Sequence, residues 1–150
     1  MATLASVTAD VDRVIADFNA RSLDLPDGFF DRKTQFLING APFETLLGQP
    51  PNDPLVLMLA RGPAGFRFTA KTLQHAIPDA RIDRGEIVTV EPARLAIKFW
   101  LAGTLRGTGE TLNTVVDVTL RLAAAGHVEI AEAVLDEPTL DKIRQARLRP

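Results

Sequence analysis

The stretch of residues 61–82 constrains the fold more than any other. Gly62-Pro63 ends one segment and opens a helix, because a proline in the first turn gives up an N–H that has no intrahelical partner. Phe66, Ala70, Leu73 and Ile77 then recur at spacings of four, three and four, which makes one apolar stripe. Ile77-Pro78-Asp79 stops the helix, since the residue before a proline is driven out of the α region. Beyond Ile82 the pattern alternates like strands as far as Leu135. A helix with one apolar face is thus followed by strands with one apolar face, and laying the helix over the sheet buries both.

Residues 3–18 read as a first helix. Leu4, Val7, Val11, Val14, Ile15 and Phe18 lie on one side of it, with Asp10, Arg13 and Asp17 opposite. Pro26 and Asp27 predict a short helical turn over 25–30, with Phe29 and Phe30 as a wedge into the core. Residues 35–38 are strand-like and stop at the turn dipeptide Asn39-Gly40. Residues 42–47 fit a strand or one helical turn, 48–54 form a proline-rich loop, and 55–59 read as a short apolar strand. Strands follow over 80–90, 94–105, 112–122 and 127–135, and residues 139–147 close the chain as a helix. Helices first and then long antiparallel strands predict a single α+β domain over 1–150. The expected architecture is a curved antiparallel sheet whose concave face the N-terminal helices and the lid helix cover, enclosing a funnel-shaped pocket.

Composition removes several function classes. With no cysteine in 150 residues, disulfides, thiolate metal sites and a cysteine nucleophile are excluded. Two histidines, His75 and His127, are too few for a histidine-rich metal site, and no cofactor or metal is expected. A net charge of −2 offers no basic footprint for nucleic acid. No apolar run approaches the ~20 residues of a membrane-spanning helix. The acidic N-terminus lacks the pattern of a signal peptide, so a cytoplasmic protein is the expectation. No tyrosine is present, which removes a tyrosine-based oxyanion hole.

Gly62-Pro-Ala-Gly-Phe66 followed by a helix ending Ala76-Ile-Pro-Asp-Ala-Arg-Ile82 resembles a signature of the nuclear-transport-factor-2-like superfamily, notably its SnoaL-like polyketide cyclase and ketosteroid-isomerase-like branches. Residues 94–107 resemble that group's central strand, and Ala125-Gly-His-Val-Glu129 its following turn. The resemblance implies a conical α+β barrel, usually dimeric, with an apolar pocket between helices and sheet. It also implies a carboxylate at the end of the last strand, where Asp136 stands. The histidine that follows Gly-Thr in the cyclase-like pattern is replaced by Leu105.

Two readings of function stand side by side. In the first, the protein is a cofactor-independent isomerase, cyclase or lyase. Uninterrupted alternation puts Val128, Ile130, Glu132, Val134 and Asp136 on one face. If that face lines the pocket, Asp136 and Glu132 enter an apolar site where desolvation raises their pKa and suits them to general base work. In the second, the protein is a non-catalytic dimeric module that binds a small apolar molecule or packs its own side chains there. The expected pocket residues are Phe29, Phe30, Asn39, Phe66, Phe99, Leu101, Leu105 and Val116. Each polar candidate also has an ordinary structural role: Asp136 as a helix cap, Glu132 as a solvated side chain, Asn39 as a turn residue. Lys98 and Trp100 fall on the opposite sheet face from Phe99, and an exposed tryptophan there marks an expected homodimer surface. Asp117 is expected as an outward charge on that same face.

Overall fold

The computed structural model describes residues 4–26, 28–42, 61–124 and 126–147. The expectations for 43–59 lie outside the described residues. Helix α1 (Leu4–Asn19) buries Val7, Val11 and Phe18, and strand β1 (Phe30–Ile38) follows. Strand β2 (Ala41–Pro42) pairs back on β1, with Leu37 opposite Pro42 and Ile38 opposite Ala41. The two residues between them, Asn39 and Gly40, have φ of 51° and 81°. Two consecutive positive φ values make the hairpin turn that matches strand twist, which is why Asn-Gly stands there. Helix α2 (Gly62–Ala76) is followed by strands β3 (Arg81–Glu91), β4 (Arg94–Thr104), β5 (Thr111–Leu122) and β6 (Val128–Val134), then helix α3 (Glu137–Arg147).

The strands form one sheet in the order β2-β1-β6-β5-β4-β3. It is mixed rather than wholly antiparallel, because β1 and β6 run parallel while the other neighbours are antiparallel. The helical turn expected over 25–30 is not found among the described residues. Phe29 N–H donates to the Pro26 carbonyl in a simple turn, and β1 begins at Phe30, earlier than its apolar run suggests. Thr34 explains that polar extension. It is buried, its hydroxyl donates to the Val128 carbonyl at 2.6 Å, and it accepts the Asp31 N–H at 2.8 Å. A buried hydroxyl satisfied on both sides carries little desolvation penalty.

The start and end of α2 are fixed by close packing. Gly62 has φ of 68°, and a Cβ there would lie 2.9 Å from Arg32 Cα and from the Asp31 carbonyl oxygen. Only glycine lets the helix start this close to β1. At the other end Ile77 N–H donates to the Leu73 carbonyl, and Arg106 N–H and Nε donate to the Ala76 and His75 carbonyls. Those bonds satisfy carbonyls that a helix end leaves open. Asp79 then accepts both the N–H and the hydroxyl of Thr104, while Ile77 packs against the bare backbone of Gly103. The Ile-Pro-Asp and Gly-Thr motifs are therefore one joint that ties the end of α2 to the end of β4.

Two adjoining cores result. One gathers Ile77, Ala76, Leu101, Leu105 and Leu112 with Ile143 and Ala146 of α3. The other places Val7 and Val11 of α1 against Phe29, Phe30, Ile97, Leu120 and Val128, and Phe66 packs against both. No helix among the described residues is long and apolar enough to cross a membrane.

Candidate functional site

Between the two helices and the inner face of the sheet lies a cavity of about 240 Å³. Its walls follow from the periods. Every third or fourth residue of α1 (Val11, Val14, Ile15, Phe18) and of α2 (Phe66, Ala70, Leu73) faces it. Alternate residues of β4 (Ile97, Phe99, Leu101) and β5 (Val116, Val118, Leu120) face it from below. Polar contacts outside the cavity hold α1 in position. The Asn19 amide donates to the Ile82 carbonyl at 3.0 Å and accepts the Ile82 N–H at 2.9 Å, taking the place of a neighbouring strand on the open edge of β3. Arg84 forms two hydrogen bonds with Asp12, Nη2 to Oδ2 at 3.0 Å being one. These bonds hold the Asp12 carboxyl below its ordinary value and raise the Arg84 guanidinium.

Of the residues expected in the pocket, Phe29, Phe30, Phe66, Phe99, Leu101 and Val116 line the cavity, and Asn39 and Leu105 do not. Leu105 is buried in the neighbouring core beside Ile77 and Ile143. The Asn39 side chain is fully committed elsewhere. Its Nδ2 donates to the Leu135 carbonyl and to Glu137 Oε1, both at 2.9 Å, and its Oδ1 accepts the Leu135 N–H. That amide pins the end of β6 to β1.

The two carboxylates are not brought together in the cavity. A bulge separates the pairs Arg121–Ile130 and Leu122–Val128, so β6 carries one residue more than β5 at that point. The extra residue reverses the faces. Ala131 and Ala133 lie opposite Leu120 and Val118 on the inner side, while Glu132 lies opposite Thr119 on the outer side. Glu132 borders the cavity between Ala131 and Ala133, which face it. Asp136 is exposed and caps α3: its Oδ2 accepts the Thr139 hydroxyl at 2.6 Å and the Thr139 N–H at 3.0 Å. Those bonds, the hydroxyl's first, hold the Asp136 carboxyl below its ordinary value, opposite to the shift that the base reading requires. The continuous alternation assumed for 128–136 is thereby corrected.

The cavity also has wall residues outside the expected set, notably Phe18, Phe36, Ala70 and Thr69. The first three continue stripes visible in the sequence. Thr69 brings a hydroxyl, but Oγ1 donates to the Gly65 carbonyl at 2.8 Å and so stays with its own helix. Among the described residues no cluster of three His, Asp or Glu side chains could hold a metal ion. His127 pairs with Asp31 at 3.7 Å, and His75 is exposed on α2. On the outer face Lys98 stands opposite Asp117, as expected of an outward charge, and Trp100 lies between Asp83 and Val115.

No protein-family model matches the sequence, and no curated protein matches it. Solved structures do. TsrD from Streptomyces laurentii is 15% identical, with a TM-score of 0.66 over 97% of this chain and 99% of its own. A candidate SnoaL-like polyketide cyclase from Jannaschia sp. CCS1 is 13% identical, with a TM-score of 0.64 over 95% and 92%. An NTF2-like protein of unknown function from Exiguobacterium sp. 255-15 is 15% identical, with a TM-score of 0.60 over 85% and 98%. The chain has the nuclear-transport-factor-2-like, SnoaL-like α+β fold.

Proposed function

We propose that the protein binds a small apolar molecule in the cavity between α1, α2 and the sheet and does not transform it. One observation carries this reading: among the described residues the wall presents no uncommitted polar side chain. An enzyme pocket needs at least two convergent polar groups beside its apolar wall. Here the Thr69 hydroxyl is bonded within α2, Glu132 belongs to the outer face, and Asp136 caps a helix. The wall is apolar throughout, so an apolar guest that enters leaves water for a matching surface. Titrating the protein with uncharged hydrocarbons, read by methyl NMR, tests the reading. The methyl groups of Ile97, Leu101, Val116 and Val118 should shift saturably, and Val116→Trp should abolish the response. Cavity methyls that do not move with any hydrocarbon refute it.

A second reading concerns the other side of the sheet. Trp100, Val115, Val88 and Val134 are 40%, 40%, 49% and 46% exposed, and their registers put them all on the outer face. The Trp100 ring lies across Gly85, where a Cβ would come within 2.9 Å of it, so the ring forms a flat apolar platform. These features support a homodimer through the face around Lys98 and Trp100. Sedimentation should show a dimer that Trp100→Ala weakens, and an unchanged association state refutes this arrangement.

A further inference from the structure

The cavity's size and its aromatic wall define its guest more narrowly, an inference that rests on the binding reading above. We infer that the site takes a flat aromatic hydrocarbon of about ten carbon atoms, the class of two fused rings, with no hydrogen-bonding group. Size comes first. An apolar cavity of about 150 Å³ holds one benzene, so by proportion the 240 Å³ here matches about ten carbons. A single ring leaves part of it empty, and a third fused ring adds surface that the walls do not cover.

The wall decides the character of the guest. Six of the seven phenylalanines among the described residues line this cavity. Phe30 stacks on Phe66 at 5.2 Å and 27°, and Phe36 meets Phe30 edge-on at 5.3 Å and 68°. One side of the cavity is thus walled by aromatic rings packed against one another in fixed orientations. Ring quadrupoles add to contacts with another aromatic ring and add nothing with a saturated one. The sheet side, with Ile97, Val116 and Leu120, supplies dispersion contact without polarity. A hydroxyl or carbonyl on the guest would leave water and find no described side chain to replace it, because the Thr69 hydroxyl is held by Gly65.

Methyl NMR titration with benzene, naphthalene, phenanthrene, decalin and 2-naphthol ranks the guests directly. Naphthalene should bind most tightly. Benzene, with about four carbons fewer to bury, should bind about 200-fold more weakly. Decalin should be about tenfold weaker for want of ring–ring contacts, and 2-naphthol at least about tenfold weaker for its unpaired hydroxyl. Phenanthrene should bind no more tightly than naphthalene, because its third ring gains no wall contact. Phe30→Leu should narrow the gap between naphthalene and decalin, and Phe36→Leu serves the same purpose if Phe30→Leu does not fold. Tightest binding by benzene, decalin, phenanthrene or 2-naphthol overturns the guest class and leaves apolar binding intact. A set of cavity methyls indifferent to every compound overturns the binding reading and this inference with it.

Discussion

Ala70→Leu should make the protein more stable, the reverse of what enlarging a buried residue in a packed core does. Ala70 is 4% exposed, sits on the inward stripe of α2, and faces the cavity. Leucine adds about three carbon atoms there, worth about 2.4 kcal/mol at ~0.8 kcal/mol per buried methylene. Fixing its rotamer costs about 0.5–1 kcal/mol, and alanine and leucine differ little in helix propensity. The net is about 1.5 kcal/mol in favour of the variant. With a urea m-value of about 2 kcal/mol/M, the unfolding midpoint should rise by about 0.7 M with m unchanged. Ala76→Leu is the control on the same helix. Ala76 is fully buried in the solid core beside Ile77 and does not face the cavity. Overpacking there should cost about 1–3 kcal/mol. Naphthalene should also protect Ala70→Leu less than wild type, which gains about 2.7 kcal/mol at a ligand concentration 100 times Kd. A fall in the Ala70→Leu midpoint comparable to that of Ala76→Leu would show that no fillable space lies beside α2, and the argument from the cavity would fail.

Three further outcomes follow from the same geometry. Gly103→Ala should lower stability by about 1–3 kcal/mol, because its Cβ collides with the Ile77 Cγ2 methyl. Ile77→Leu, which lacks that branch, should recover part of the loss in a double-mutant cycle, and strictly additive effects would rule out the contact. The Asp136 carboxyl should titrate below the ordinary 3.8 in an NMR titration, and Thr139→Ala should move it upward, since the Thr139 hydroxyl is the main cause of its depression; a value above 3.8 would return Asp136 to the role of a base. Asp12, Asp79 and Asp136 all have carboxyls lowered in the folded state, chiefly by hydrogen bonds from Arg84, Thr104 and Thr139 respectively. The stability they supply is present above 3.8, their ordinary value, and is lost as pH falls through the folded values. Urea midpoints followed into acid should therefore decline below about pH 4, less steeply in Asp79→Asn, and a slope identical to wild type would refute the role of Asp79.

The limits of sequence reading lie at identifiable residues. The Phe66, Ala70, Leu73 stripe and the Pro63 start appear in α2 as expected, with Ile77 just past its end, because helical period and proline chemistry act within a few residues. The alternation of β4 and β5 is equally local, so Phe99, Leu101 and Val116 reach the cavity from their spacing alone. Asn39-Gly40 makes its turn for the same reason. The early start of β1 was not legible, because Thr34 is tolerable in the interior only when it finds the Val128 carbonyl 94 residues away.

Asp136 and Glu132 show the division most plainly. Their expected place in the pocket required unbroken alternation through β6. The bulge against β5 reversed the strand's faces, and no residue near Glu129 announces it. What the sequence determined by itself was the set of apolar faces, since periodicity is a property of neighbours along the chain. Tertiary structure alone decided which polar groups stand near those faces and how much space remains between them. Both depend on pairing register and on the distance between layers, and those are set by contacts between residues far apart in sequence.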